Sequence, residues 1–204
     1  VPRGKKFRLP PRLAFPMFVK SATEDASLGI AHASVVADEK QLRERVGFIH
    51  EQINSDALVE EYIEGRELYV AVLGGARPQA LPVWELHFGT PKRGVAPIAT
   101  RRIKWDRAYQ RSLGIGPRPA AGLDAAEVRA IQQQALAAWR ALHLSGLARI
   151  DFRRRDDGAL FVLEANPNPN LARIEDFAAS AAVGGVGYER LIERILQDAL
   201  RLRA

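Results

Sequence analysis

The residues best suited to chemistry lie in one stretch, ARIDFRRRDDGALFVLEANPNPN, residues 148–170. Read with a period of two, one face carries Ile150, Phe152, Phe161, Leu163 and Ala165. The other carries Arg149, Asp151, Arg153, Val162, Glu164 and Asn166. Asp157-Gly158 is a strong two-residue hairpin signal, because both positions tolerate positive φ. With those two as the loop, Asp151 stands opposite Glu164 and Arg149 opposite Asn166, with Cβ atoms ~4.5–5.5 Å apart. Directly opposed carboxylates repel. A divalent cation removes that cost, and Mg²⁺ takes such oxygen ligands together with phosphate oxygens and water. Asn166 adds a neutral amide oxygen. A solvated charged strand face, partly offset by Arg149 and Arg153, accounts for the same pattern.

The elements that must position this hairpin are legible from periodicity. FPMFVK (Phe15–Lys20) reads as a short buried strand, followed by a small polar loop, Ser21–Gly29. Asp38 with Gln41 opens an amphipathic helix over 38–53, with Leu42, Val46, Ile49 and Ile53 on one face. Ala57–Gly65 gives a strand and turn, Arg66–Gly75 a second strand and Gln79–Leu86 a third. Residues 87–122 read as irregular, with a short helix around WDRAYQRSL. Asp124 with Glu127 caps a helix whose apolar face is Val128, Ile131, Leu136, Trp139 and Leu142. After the hairpin, Tyr188, Leu191, Ile192, Ile195 and Leu196 define a last helix. Strands that enclose helices, without regular alternation, favour an α+β fold with antiparallel pairing.

Composition narrows the function classes. The 204 residues are 47% hydrophobic and 26% charged, which suits a folded globular protein. No apolar run is long enough to cross a bilayer, and VPRGKKFRLPPR has no signal-peptide apolar core, so a cytoplasmic protein is expected. With no cysteine there is no disulfide framework and no thiolate metal site. The net charge of +6 favours an anionic ligand such as a nucleotide or nucleic acid. Aromatic residues at 7% do not interleave with the basic runs as a stacking platform for nucleic acid would. The four histidines show no ligand spacing.

GLARIDFRRRDDGALFVLEANPNPN resembles the C-terminal signature of ATP-grasp enzymes, and among them the D-alanine–D-alanine ligase branch. That signature is a G-x-x-R-x-D strand, a hairpin and E-x-N-x-x-P. The resemblance implies Mg²⁺ ligands at Asp151, Glu164 and Asn166, with Mn²⁺ as a substitute, and an Arg149 that steadies charge on the transferred phosphoryl group. FVKSATEDASLGI resembles the family's strand lysine and phosphate loop. It implies that Lys20 contacts the α and β phosphates of ATP while the backbone of Glu24–Gly29, including Ser27, closes over them. LVEEYIEGRELYV resembles the adenine and ribose segment. Glu60 would accept from the adenine amino group, backbone groups of Glu61 and Ile63 would read the base edge, and Glu67 would bind the ribose hydroxyls. ATRRIKWD resembles the mobile loop over the γ-phosphate, with Lys104 as its catalytic phosphate contact.

Several positions depart from the family pattern. Its phosphate loop usually reads E-G-S-S-x-G, where this chain has Glu24-Asp25-Ala26-Ser27-Leu28-Gly29. Trp105 replaces the tyrosine after the loop lysine, and Pro167-Asn168-Pro169-Asn170 replaces T-x-P-G. The serine that grips the second substrate's carboxylate falls at Glu175. A carboxylate there would repel that group and suits an ammonium or a carboxylate-free amine, so Asn170 and Glu175 are the candidate substrate residues. The family's separate front domain and earlier phosphate-binding lysine are not in these residues, so turnover by this chain alone is not expected.

The resemblance therefore implies an ATP-grasp fold of two α/β subdomains with largely antiparallel sheets gripping ATP. The expected division is residues 1–63 and 64–204. The implied activity is ATP- and Mg²⁺-dependent ligation of a small carboxylate to an amine, by a protein compatible with a homodimer. The rivals are a basic nucleic-acid-binding module, suggested by Arg153–Arg155, and a domain that binds nucleotide without ligating.

Overall fold

The computed structural model describes residues 1–5, 9, 13–24, 27–75, 77–89, 98–100, 102–103 and 106–201. The chain divides into two compact units, Val1–Ile63 with Phe88–Ile115, and Glu64–His87 with Gly116–Ala204. Residues 88–115, which the sequence division leaves in the second part, group with the first unit. A hydrogen bond from Ser27 Oγ to Ala99 O at 2.9 Å ties the segment there, and Ile98 and Ile103 within it are buried.

The first unit is built on an antiparallel sheet in the order β2-β1-β3, from β1 (Met17–Ser21), β2 (Val35–Val36) and β3 (Ala57–Glu61). Alternation in β1 buries Met17, Val19 and Ser21 and leaves Phe18 and Lys20 on the other face. The helix α1 (Glu39–Phe48) lays Leu42 and Val46 against that buried row, with Val36, Ile49 and Ala57 completing the core. Asp38 Oδ1 caps α1 by accepting from Gln41 N at 2.8 Å, while Gln41 Oε1 accepts from Ala37 N. The reciprocal half of the capping box thus reaches one residue further back than expected. Helix geometry widens to a π-turn over Ile49–Ile53, and Asn54 ends it in the left-handed region.

The second unit holds a six-stranded sheet in the order β7-β6-β4-β8-β9, with β5 beside β4. Its strands are β4 (Arg66–Leu73), β5 (Gln79–Ala80), β6 (Trp84–Phe88), β7 (Ile115–Pro119), β8 (Ala148–Arg154) and β9 (Leu160–Asn166). The single strand expected over 79–86 is broken into β5 and β6 around Pro82, which has no N–H for the ladder. The short helix expected around WDRAYQRSL is α2 (Arg107–Leu113), while the stretch otherwise expected to be irregular also contains the edge strand β7, whose IGPRP sequence hides its extended character.

One face of this sheet is covered by α3 (Ala125–Ala141), which sets Ile131 and Ala135 against Leu68, Val70, Val72, Ile150 and Phe152. The opposite face is covered at one end by α4 (Asp176–Val183) and α5 (Tyr188–Arg201), through Phe177, Ala178, Ala181 and Leu191 against Ala71 and Leu73. Of the apolar face expected for α5, Leu191 is buried, whereas Ile192 and Leu196 are exposed. Leu142, placed on the α3 face by its spacing, lies just past the helix and is exposed.

Glu85 on β6 is buried and takes Arg66 Nε at 3.0 Å and Arg118 Nε at 2.7 Å. Burial alone would raise its pKa, but the two guanidinium groups outweigh that and hold it below the usual glutamate value. A lowered folded pKa gives stability that is present above the unfolded value and lost as pH falls through the folded one. Glu85→Gln is therefore expected to cost about 1–3 kcal/mol near neutrality in urea unfolding, with the difference from wild type closing in acid.

Candidate functional site

The hairpin β8–β9 brings the acidic pair together. Asp151 faces Glu164 and Arg149 faces Asn166 across the ladder. The route to that register differs from the expected one. The loop is not the two residues Asp157-Gly158. Gly158 N donates to Arg155 O and Arg155 N to Ala159 O, so Asp156, Asp157 and Gly158 form a three-residue tip, with Gly158 at φ +88°. That offset pairs Phe152 with Val162 and Arg153 with Phe161. A bulge between Asp151 and Phe152, with Leu163 as the extra residue, restores the register at the site. Phe161 consequently stands on the charged face and Val162 on the Phe152 face, the reverse of the sequence assignment.

Behind the hairpin, β4 adds Tyr69 opposite Asp151 and Glu67 opposite Arg153. Arg149 grips Asp151 with both forks, Nε to Oδ1 at 2.7 Å and Nη2 to Oδ2 at 2.8 Å. Its third nitrogen, Nη1, lies 3.6 Å from Asp176 Oδ2 at the start of α4. The guanidinium sits 4.9 Å from the centroid of the Tyr69 ring. Arg153 Nη2 pairs with Glu67 Oε2 at 3.1 Å, and Arg153 Nη1 donates to Gly65 O at 2.8 Å. Gly65 is at φ +141°, and a Cβ there would come within 2.1 Å of Arg154 O, so only glycine fits that approach.

Asp151 is 5% exposed. Burial pushes its carboxyl up to about 6, with Glu67 and Glu164 adding to the rise and Arg149 opposing it. Burial and the neighbouring Glu67 and Asp151 charges likewise push the Tyr69 hydroxyl up. For Arg149, burial works against the charged form, but the Asp151 carboxylate outweighs it and raises the pKa. Glu164 is exposed and Asn166 half-buried. Asn166 Oδ1 accepts from Asn168 N at 2.9 Å, which fixes the amide while leaving a second lone pair. Among the described residues, no group of three or more His, Cys, Asp or Glu side chains could hold a metal. Two carboxylates and an amide are what the hairpin offers, a donor set that suits Mg²⁺ completed by phosphate oxygens and water.

Glu67 was expected at the ribose. In the structure it is buried against Arg153 and within 3.4 Å of the Tyr69 hydroxyl, on the same sheet face as Asp151. Asn170 is exposed and accepts from Ala172 N. Glu175 is half-buried at the cap position of α4 and makes no capping bond with its side chain. Tyr69 and Asp176 were not singled out from the sequence, although Tyr69 shares the period-two face of Glu67. Arg153, Arg154 and Arg155 pair with Glu67, Glu127 and Asp157, which offsets the charge of this basic run.

In the first unit, Lys20 and Glu60 share the sheet face that α1 leaves uncovered, with Lys20 Nζ 2.6 Å from Glu60 Oε2. Glu61 is exposed and Ile63 half-buried just beyond β3. Ser21 Oγ accepts from Thr23 N and Glu24 N, so the Glu24 amide is turned back onto β1. Ser27 is buried at φ 62°, and Gly29 follows at φ +73°. A Cβ on Gly29 would meet Ile53 at 3.0 Å, so the loop lies close against the end of the π-turn. Arg45 Nη2 donates to Gly29 O and to Ser34 Oγ, which anchors the far end of the loop. Lys104, Asp25, Ala26 and Trp105 lie outside the described residues.

The sequence profile described as D-ala D-ala ligase C-terminus matches residues 5–197. The chain belongs to this ligase family. Similar proteins include the uncharacterized protein y4sG of Sinorhizobium fredii, 33% identical over 93% of this chain and 53% of that protein. The D-alanine–D-alanine ligase of Pseudothermotoga lettingae is 30% identical over 92% of this chain and 58% of its own length. The chain thus spans about half the length of the curated relatives it matches. In fold it is similar to the Bacillus anthracis D-alanine–D-alanine ligase complexed with ATP, with a TM-score of 0.74 at 22% identity over 100% of this chain and 59% of that one. It is also similar to the VanG D-Ala:D-Ser ligase of Enterococcus faecalis, with a TM-score of 0.70 at 21% identity over 91% of this chain and 50% of that one. The ligase-family fold is accordingly the ATP-grasp one, α+β with antiparallel sheets.

Proposed function

We propose that this ligase-family chain is the nucleotide- and metal-handling part of an ATP-dependent carboxylate–amine ligase. The observation that carries the reading is the cross-strand register that sets Asp151 against Glu164 and Arg149 against Asn166. Asp151, Glu164 and Asn166 would hold Mg²⁺, or Mn²⁺ in its place. Bound there, the ion would neutralise charge on the phosphate oxygens during transfer.

In the proposed reaction a substrate carboxylate attacks the γ-phosphorus and ADP leaves, giving an acyl phosphate. An amine then attacks the acyl carbon, phosphate departs and the nitrogen gives up a proton. The chain's own share is placement and charge complementarity. Arg149, beside the Tyr69 ring, would present donors to the oxygens that gain charge. Lys20, released from Glu60, would meet the α and β phosphates, and Glu60 would then accept from the adenine amino group. Backbone groups of Glu61 and Ile63 would read the base edge, and the segment from Glu24 through Ser27 to Gly29 would close over the phosphates. Lys104 would reach the γ-phosphate. Glu67, engaged by Arg153, is better read as a support for the charged face than as a free ribose ligand.

The substrate pair is a small carboxylate and an amine. Asn170 and Glu175 would face the amine, and with Glu175 where the family has a serine, that amine's far end is neutral or cationic. The reading includes a cytoplasmic location, where ATP is available, and is compatible with a homodimer.

The test is a melting series with Mg²⁺ and a non-hydrolysable ATP analogue. At about 100 times Kd the analogue should stabilise the chain by roughly 2.7 kcal/mol. No shift with nucleotide, alongside a salt-sensitive shift with oligonucleotide, would move the assignment to a nucleic-acid module.

A further inference from the structure

Arg149 occupies both oxygens of Asp151, the carboxylate that the proposed metal would need. A divalent cation arriving beside that guanidinium meets a like charge, so binding is favoured by anything that draws Arg149 away. The structure supplies such a group. Asp176 Oδ2 stands 3.6 Å from Arg149 Nη1, an ion-pair contact that is still longer than a hydrogen bond. The seam between them is lined by Tyr69, Ala71, Trp84, Arg149, Asp176, Phe177 and Ser180 and is too narrow for a water molecule. The gap is therefore closed by movement of the side chains themselves. Trp84, which lines the same seam, has a buried Nε1 that makes no hydrogen bond among the described residues. An unmet buried N–H marks an arrangement with something left to gain when an acceptor moves inward.

We infer that Asp176 is a positioning residue that takes Arg149 from Asp151 as the metal enters, which frees Asp151 for the ion and leaves the guanidinium ordered on Tyr69. This rests on the ligase reading above. In the ion-free state the arginine neutralises buried Asp151. In the loaded state the cation does so, and Asp176 becomes the counter-charge of the arginine. Asp176 touches neither ion nor nucleotide in this account. Its effect is on how much Mg²⁺ is needed.

The experiment is the melting shift of this chain at fixed ADP while Mg²⁺ is varied, for wild type, Asp176→Asn and Asp176→Glu. Asp176→Asn should raise the Mg²⁺ midpoint about tenfold, leave the ADP shift in EDTA unchanged, and be rescued by Asp176→Glu. An unchanged midpoint in Asp176→Asn overturns the inference, as does an ADP shift that falls equally with and without Mg²⁺. If Asp176→Asn fails to fold, Asp176→Glu decides: a midpoint within about twofold of wild type supports the inference, and a larger displacement overturns it. A wild-type shift indifferent to Mg²⁺ would instead overturn the ligase reading itself.

Discussion

Replacing Arg149 with methionine should destabilise the chain by about 3–5 kcal/mol in urea unfolding at neutral pH, because a buried carboxylate is left without its cation. Asp151 is 5% exposed, receives two hydrogen bonds from Arg149 and has Glu67 and Glu164 as the acidic neighbours that raise its pKa. Even with the arginine present its carboxyl is raised to about 6, and without it the group should climb further. A raised folded pKa gives stability that is complete below the unfolded value and lost as pH rises through the folded one. The deficit of Arg149→Met should therefore be small in acid and grow as pH rises from about 4. Adding Asp151→Asn should recover most of the loss at neutral pH. A deficit that ignores pH, or that persists in the double variant, would place the cost in lost contact with Tyr69.

Glu164→Gln should abolish the Mg²⁺-dependent part of nucleotide affinity while leaving the fold intact. Glu164 is exposed on the outer strand β9 and takes part in no ion pair among the described residues, so little stability depends on its charge. Its substitution removes one of two anionic ligands from a proposed site whose third member is neutral. The check is again the melting shift with ADP, with and without Mg²⁺. Unchanged metal dependence would remove Glu164 from the site. These two substitutions separate the roles of the hairpin: the inner carboxylate is tied to folding and the outer one is not.

Much of this was legible because the signals were local. The caps at Asp38 and Asp124 and the alternation in β1 follow from spacing, and the pairing of Asp151 with Glu164 was reached through a loop of the wrong length. What was not legible depends on neighbours distant in sequence. Glu67 reads as a ribose ligand on its strand until Arg153 is seen opposite it on β8. Asp176 carries no local signal, and only the placing of α4 sets it beside Arg149. The strand IGPRP is invisible to propensity because its pairing with β6, and not its side chains, makes it extended. The loop Asp157-Gly158 was misjudged by one residue, since two- and three-residue tips use the same amino acids.

The extra residue at Leu163 has a consequence for comparing this chain with its relatives. It works as a slip joint: an odd count of residues on the tip side is cancelled before it reaches the acidic pair. Hairpins in kindred sequences can then lengthen or shorten without misaligning their carboxylates, provided a compensating irregularity sits between tip and site. Spacing across the turn is a poor criterion for recognising the site in such sequences, and the ladder pairing of the two acidic positions is the better one.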